Sequence, residues 1–222
     1  MMVASDRLVK YDSAMTGIMS PTARTSPRAA RTRAALISAG FDLLAERPID
    51  AIPIDDVVAM AGVAKGSFFN HFEDKRAFAK AIAADVRREL EALVTQANAD
   101  ISDPIDRIAG GMRVAAGFAL NSPRRSAVLL RNQGSSSTRT HPLNRGLVED
   151  IEAACAAGQL RAEASEAGVL YWLGLCQMLM ANIIERKVTQ DEARARLRAM
   201  LVLGLTGLGV PDVRAAAIAA AC

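Results

Sequence analysis

Residues 61–75 read AGVAKGSFFNHFEDK. Gly62 follows an amphipathic segment, and a glycine at that place permits the left-handed turn that ends a helix. Phe68 and Phe72 are spaced so that a short helix over residues 65–72 would have one apolar face. Such a helix is too short to be stable alone and must be held by packing. Two short helices joined by a tight turn predict a helix-turn-helix.

The neighbouring segments complete a small helical N-terminal domain. Residues 28–46 carry apolar side chains at three- and four-residue steps, which predicts a first helix that ends before Pro48. A second helix is predicted over residues 54–61, where two acidic residues occupy the first turn. Asp74 is placed to cap a fourth helix over residues 75–98.

The remainder of the chain shows longer helical segments. Asp103 and Ser122 each precede a proline that opens a helix, and Thr189 with Glu192 forms a capping box. Pro211 closes the last helix and leaves an Ala-rich tail. These helices are predicted over residues 104–120, 123–132, 142–157, 163–186 and 189–208, with a polar loop over residues 134–140. Neither a repeat nor a strand pattern is evident, so the sequence predicts an all-α fold.

Composition and charge exclude several classes of protein. The chain is 51% hydrophobic but only 4% aromatic, a mixture that favours helices over a β-sandwich. Its 27 Lys and Arg residues against 24 Asp and Glu give a net charge of +3, so any nucleic-acid surface must be local. Cys155, Cys176 and Cys222 form no CxxC or Cys/His cluster, which excludes a disulfide framework or a zinc knuckle and indicates a reducing compartment.

The sequence shows neither a secretory signal nor a clear membrane-spanning segment, which predicts a cytoplasmic protein. Residues 1–13 lack the continuous apolar run of a secretory signal. The longest apolar stretch, residues 168–184, is interrupted by Gln177 and Asn182 and falls short of the roughly 20 residues of a spanning helix. We therefore predict a buried helix there and no membrane partner.

The start of the chain is predicted to be a flexible basic arm over residues 1–27, because it is rich in Ser, Thr and Ala and lacks helical periodicity. Arg24, Arg28, Arg31 and Arg33 then follow one another with no acidic residue among them. These arginines either open a solvated helix or lie along a phosphate backbone.

The exposed side of the short helix carries the candidate DNA-binding residues. The exposed start of a helix attracts anions, and Lys65 there can reach a base edge or a phosphate. Lys75 is poorly placed for the dipole of the fourth helix, a cost that a bound phosphate would offset. The other residues that lie off the apolar face are Ser67, Phe69, Asn70 and His71.

The run over residues 61–75 resembles the DNA-binding signature of TetR-type transcriptional repressors, and the resemblance extends over residues 28–82. It implies an N-terminal DNA-binding domain at residues 28–74. By position it also implies major-groove contacts from Lys65, Gly66, Ser67 and Asn70, backbone contacts from Phe69 and His71, and a phosphate contact from Lys75. Pro53 and Phe69 depart from the family pattern, which often has a phosphate-contacting Thr and a Tyr at these positions.

A C-terminal domain over residues 75–222 is implied to dimerise and to bind an effector. The last two long helices carry apolar residues on more than one face, more than a lone domain of this size needs to bury. A homodimeric four-helix interface explains this surplus. Two-fold symmetry would then match a palindromic operator in double-stranded DNA.

Members of this family usually bind a small molecule among the central helices. The apolar bias of the candidate lining residues predicts a hydrophobic or aromatic effector, although each of them is also compatible with ordinary core packing. Cys176 could sense oxidants, but a buried lone cysteine is usually inert. The candidates are Met112, Phe118, Trp172, Cys176, Gln177 and Met180.

The sequence thus predicts a dimeric repressor that a ligand releases from DNA, without a cofactor or a metal. His71 and His141 lie in separate regions, and no paired-carboxylate, Ser-His or metal-binding spacing supports an enzyme. Two alternatives stay open, a transcriptional activator of the same fold and a helical protein-interaction module that does not bind DNA. Salt-dependent binding to DNA would separate the last of these from the others.

Overall fold

The computed structural model describes residues 26–132 and 139–221. These two ranges contain α-helices and short 3-10 turns but no strand, which confirms the predicted all-α fold. The 3-10 turns are Ile49–Ala51 and Pro142–Asn144. The helices are α1 (Pro27–Glu46), α2 (Ile54–Ala61), α3 (Lys65–Phe69), α4 (Lys75–Ala97), α5 (Pro104–Asn121), α6 (Pro123–Arg131), α7 (Arg145–Ala156), α8 (Ala164–Arg186), α9 (Gln190–Gly207) and α10 (Asp212–Ala220).

The N-terminal helices follow the predicted bounds except for α3. Gly62 caps α2 in the left-handed conformation, with a φ of 65°, as its position after the apolar segment predicts. α3 ends at Phe69 rather than at residue 72, because the N–H groups of His71 and Phe72 both donate to the carbonyl oxygen of Phe68. The chain therefore tightens into a turn before Asp74, whose side chain caps α4 by accepting from the N–H of Ala77 at 2.7 Å.

An aromatic cluster holds α3 in place. The rings of Phe68 and Phe72 are buried, as predicted. Both contact the ring of Phe78 on α4, with centroid distances of 5.1 and 4.8 Å. The first turns of α4 therefore belong to the N-terminal core, and packing is continuous across residue 75. The proposed division into residues 28–74 and 75–222 stays a prediction.

The C-terminal helices form a bundle around α5. This helix packs against α4, α6, α7, α8 and α9. Its start is capped as predicted, since the Asp103 carboxylate accepts from the N–H groups of Ile105 and Asp106. Ser122 stands at the N-cap of α6 before Pro123, as predicted, but its side chain makes no capping hydrogen bond. Ser122 ends α5 by donating its own N–H to Phe118 at 2.8 Å, with φ of −137° and ψ of 57°.

The long apolar helix α8 is longer than the apolar run that predicts it. With 23 residues and a mean hydropathy of 1.6 in its most apolar window, it could cross a membrane by length and composition alone, so the length argument above is wrong. This is weak evidence for a span, because α8 is also a core helix that buries Trp172, Cys176 and Met180. Its other side carries exposed apolar residues.

The Ala-rich tail is wrong as a prediction, because these residues form α10. Alanine has the highest helix propensity, and Pro211 followed by Asp212 suits a helix start. Ala215 and Ile218 are buried in the packing of α10 on α9. The Arg113 guanidinium also donates to the carbonyl oxygen of Ile218 at 2.8 Å. The predicted flexible arm, apart from its last two residues, and the predicted polar loop, apart from Arg139 and Thr140, lie outside the described residues, as does Cys222.

Candidate DNA-binding surface and effector cavity

The structure brings the predicted DNA-binding residues of the N-terminal domain to one short segment. Phe69 is 53% exposed although its neighbour Phe68 is buried. Its exposure agrees with a role outside the core. The remaining predicted residues of this segment are exposed at Lys65, Gly66 and Asn70 and half-buried at Ser67 and His71.

Lys65 forms an exposed ion pair at the start of α3. Its Nζ lies 2.9 Å from a carboxylate oxygen of Asp55 on α2, and both side chains are more than half exposed. Exposed pairs of this kind contribute about 0–1 kcal/mol. The Lys65 ammonium can therefore leave Asp55 for a phosphate or a base edge at little cost.

The basic start of α1 lies beside the end of the α3 segment. The guanidinium carbon of Arg33 lies 5.4 Å from the centroid of the Phe72 ring, a cation–π contact. Arg28 and Arg31 on the same helix are exposed. Arg33 of α1 thus brings positive charge to the segment that carries Lys65, although the chain as a whole has a net charge of only +3.

Lys75 has partners inside the protein. Its Nζ donates to the carbonyl oxygens of Ile49, Asp50 and Ile52 at 3.3, 3.3 and 3.0 Å. An ammonium has three donors, so these carbonyls use all of them. They also explain why a lysine is tolerated at the start of α4. The phosphate contact of Lys75 stays a prediction, and the structure shows a second role, which is to hold the α1–α2 connection against α4.

Lys75→Met tests this structural role. We expect it to lower the free energy of unfolding by about 1–2 kcal/mol, because three carbonyl groups lose their donor. Urea unfolding followed by circular dichroism measures the loss. Lys80→Met, at an exposed position on the same helix, should change it little. An equal effect of the two substitutions would contradict the role of Lys75 in holding the α1–α2 connection against α4.

A cavity of about 480 Å³ lies within the bundle, between α4, α5, α7 and α8. Four of the six residues predicted for an effector site line it, namely Trp172, Cys176, Gln177 and Met180. The other two, Met112 and Phe118, are buried on α5 and are not among the lining residues. They lie in the core because α5 is surrounded by neighbouring helices.

The polar part of the cavity wall was not predicted. Arg87 on α4 lies 2.6 Å from Glu91 and also donates to the side-chain oxygen of Asn144 at 2.7 Å. On the other side, Nε of Arg107 donates to the buried Asp150 carboxylate at 2.7 Å. The one available signal was the i, i+4 spacing of Arg87 and Glu91, which in a sequence is typical of a solvated helix face.

Burial changes the ionisation of several groups in this wall. It raises the pKa of Glu91, against the opposing effect of Arg87, and it raises the pKa of Asp150 against the hydrogen bond from Arg107. Burial also raises the pKa of the Cys176 thiol to about 12. The thiol is therefore protonated at neutral pH, and since the thiolate is the reactive form, Cys176 is a poor oxidant sensor. In the described ranges no group of three His, Cys, Asp or Glu side chains could hold a metal ion.

Helix α6 connects the cavity to the N-terminal helices. Leu129 of α6 lines the cavity. Near the end of the same helix, Nη1 of Arg131 donates to the carbonyl oxygens of Leu44 and Ala45 at 2.9 and 3.0 Å, which satisfies the last turn of α1. Arg131 thus joins the end of α6 to the end of α1.

An apolar stripe crosses the outer faces of α8 and α9. Leu170 and Met178 of α8 and Leu203 of α9 are 65%, 66% and 67% exposed. Tyr171 joins the two helices, since its hydroxyl donates to the carbonyl oxygen of Leu203 at 3.4 Å. Exposed apolar surface of this extent on a helix pair is typical of a protein interface.

Comparison with known proteins agrees with this arrangement. Residues 36–82 match the model of the family described as bacterial regulatory proteins, tetR family. The HTH-type transcriptional repressor DhaR of Mycobacterium sp. (strain GP1) is 35% identical over 69 residues, which are 31% of this chain and 35% of that protein. The chain thus spans about a third of the length of the curated relatives that it matches.

Solved structures share the fold over most of the chain. A TetR family transcription regulator from Shewanella sp. PV-4 has a TM-score of 0.70 at 16% identity, with coverage of 80% of this chain and 97% of that one. RolR in complex with resorcinol has a TM-score of 0.58 at 22% identity, with coverage of 86% and 94%. Identities this low show the fold alone. Residues 36–82 of this chain are thus similar to the tetR family of bacterial regulatory proteins, and the chain shares its fold with solved regulators of that family.

Proposed function

We propose that this chain is a cytoplasmic, dimeric transcriptional repressor, not an enzyme, and that a small molecule releases it from a palindromic operator. The observation that carries the proposal is the exposed side of α3, where Lys65 and Asn70 stand free of the core while Phe68 anchors the helix behind them. The N-terminal relatives support it, since DhaR is described as a transcriptional repressor.

In this proposal α3 enters the major groove and the basic start of α1 lies along the phosphates. The N-terminal end of a recognition helix contacts base edges in a helix-turn-helix. Lys65, Gly66, Ser67 and Asn70 would then face the bases. Phe69 and His71 would lie at the DNA backbone.

The apolar stripe on α8 and α9 would form the dimer interface. Two protomers that pair their Leu170, Met178 and Leu203 faces would remove this surface from water, and the two copies of α3 would then present a two-fold pair of reading heads. The interface would be isologous, with the same patch contributed by both protomers.

The cavity would bind the effector, and α6 would transmit its binding. RolR, which has the same fold, was solved with resorcinol bound. Here a molecule in the cavity would press on Leu129, and the movement of α6 would reach α1 through Arg131. A ligand shifts the equilibrium between the DNA-binding conformation and the released conformation only by its difference in affinity for the two.

Arg131→Met tests this connection. We expect operator binding to be largely kept and release by an effector to be weakened, because α6 would lose its bonds to Leu44 and Ala45. Effector titrations of the protein–DNA complex by fluorescence anisotropy measure this. Arg194→Met removes an exposed ion pair on α9, away from the residues that line the cavity, and is the matched control. Unchanged release in Arg131→Met would show that coupling takes another route.

Operator selection from random duplexes with the purified protein tests the proposed function as a whole. Enrichment of a palindrome, followed by its release in a small-molecule screen, supports it. Enrichment of no sequence would favour a protein-interaction module instead. Activation rather than repression would appear as increased transcription from a promoter that carries the selected operator.

A further inference from the structure

Unpaired polar atoms gather at the cavity. Among the described residues, four buried side-chain atoms have no hydrogen-bond partner, and three of them belong to residues that line the cavity, namely Arg87 Nε, Asn98 Oδ1 and Trp172 Nε1. A buried polar atom left unsatisfied costs about 1–3 kcal/mol, so native proteins keep few of them. Their occurrence together in the lining of one cavity points to groups that a ligand satisfies.

The three atoms differ in their surroundings. A Cβ at Gly204 on α9 would lie 2.8 Å from Cζ3 of Trp172, so that edge of the indole faces α9. Nε1 is on the opposite side of the ring system from Cζ3, and Trp172 is one of the residues that line the cavity. Asn98 is different, because its Oδ1 faces Gly110 and its amide nitrogen donates to the carbonyl oxygen of Arg107 at 3.0 Å.

The two remaining atoms are donors, one on α4 and one on α8. Trp172 is 1% exposed, so its N–H can be satisfied only from within the protein or the cavity. Arg87 uses its terminal nitrogen for Glu91 and Asn144, and its Nε–H is left over. A ligand that satisfies them must carry an acceptor.

The charges of the lining are already paired. Arg87 pairs with Glu91, and Arg107 pairs with Asp150. The third carboxylate, Glu149, pairs with Arg145 at 2.7 Å outside the cavity. A ligand carboxylate would therefore meet carboxylates and no unpaired cation, and a ligand cation would meet no unpaired anion. Burial of an unpaired charge is costly, which favours a neutral ligand.

We infer that the cavity binds a neutral ring compound with a hydroxyl or carbonyl oxygen, which accepts from Trp172 Nε1 and Arg87 Nε while the ring packs on the apolar wall. The inference rests on the proposed function, because it takes the cavity as the effector site. Small-molecule sites have volumes of about 300–1,000 Å³. The cavity of about 480 Å³ suits one or two fused rings.

Three probes of equal ring size test the inference on the full chain. They are indan-5-ol, indane and indane-5-carboxylate, titrated by calorimetry. We expect indan-5-ol to bind about tenfold more tightly than each of the others, as a hydrogen bond to a buried donor implies. Equal affinities, or a preference for the carboxylate, would overturn the inference.

Trp172→Phe separates hydrogen bonding from packing, because it removes the donor and keeps an aromatic ring. We expect this substitution to weaken the binding of indan-5-ol about tenfold and to leave the binding of indane unchanged. The second variant is Arg87→Lys, which keeps a cation beside Glu91 but lacks the Nε donor. It should also weaken the binding of indan-5-ol. A uniform loss for all probes would mean that these residues only pack, and would overturn the assignment.

Operator binding, measured on the same protein samples, separates this inference from the proposed function. Intact operator binding without binding of any probe would overturn the ligand class while the DNA-binding proposal stands. Absence of operator binding by the wild-type protein would count against the proposed function itself.

Discussion

Phe68→Ala is expected to abolish specific DNA binding and to unfold the helix-turn-helix. Phe68 is fully buried and its ring contacts those of Phe72 and Phe78 at centroid distances of 5.6 and 5.1 Å. Removing a buried phenyl ring costs about 3–5 kcal/mol. α3 spans only Lys65–Phe69, so it has no stability of its own to offset the loss. Thermal unfolding and fluorescence anisotropy with the selected operator measure the two effects.

The neighbouring phenylalanine is the matched control. Phe69 is 53% exposed, so Phe69→Ala removes a ring of the same size that supports little of the core. We expect its free energy of unfolding to stay close to that of the wild type. If Phe68→Ala and Phe69→Ala were equally stable, α3 would not be held by the aromatic cluster, and the geometry of the reading head would need another explanation.

Leu203→Glu is expected to produce a monomer and to lower operator affinity by at least a hundredfold. In the proposed dimer each substitution would place a carboxylate opposite the partner's apolar face, where burying an unpaired charge is costly. A monomer has only one reading head and loses the gain in affinity that two linked heads provide. Sedimentation equilibrium reports the oligomeric state, and anisotropy reports the affinity.

Val213→Glu provides a control for the added charge. Val213 on α10 is 85% exposed and is not part of the stripe on α8 and α9. This variant should stay dimeric and bind the operator as the wild type does. A dimeric Leu203→Glu protein with normal affinity would rule out the stripe as the interface.

The bounds of the N-terminal helices could be predicted because their signals are local. Gly62 ends α2 through its own backbone conformation, and Asp74 caps α4 through a residue only three positions away. Other features depend on more distant parts of the chain. The α3 helix ends early where the carbonyl oxygen of Phe68 accepts from two N–H groups, and α10 forms where an Ala-rich segment finds α9 to pack on.

The candidate sites likewise contain some features that could be predicted from the sequence and others that depend on distant parts of the chain. The sequence predicts a phosphate contact for Lys75 at the start of α4, which stays a prediction, and the partners that the structure shows are carbonyl groups from the distant α1–α2 connection. In the cavity, Trp172 and Cys176 were predicted from an apolar helix, whereas Arg87 and Glu91 were missed. A charged pair at helical spacing looks solvated in a sequence, and only the contact of Arg87 with the distant Asn144 shows that the pair lines a cavity.

Equilibrium binding of the purified protein to its selected duplex over a range of salt concentrations tests the DNA-reading role of α3 most directly. We expect tight binding at low salt and a linear fall of the logarithm of the binding constant with the logarithm of salt concentration, since phosphate contacts release counterions. Lys65→Ala should make this slope shallower. Absence of binding to any duplex at low salt, or binding that does not depend on salt, would contradict the role of α3 as a DNA reader.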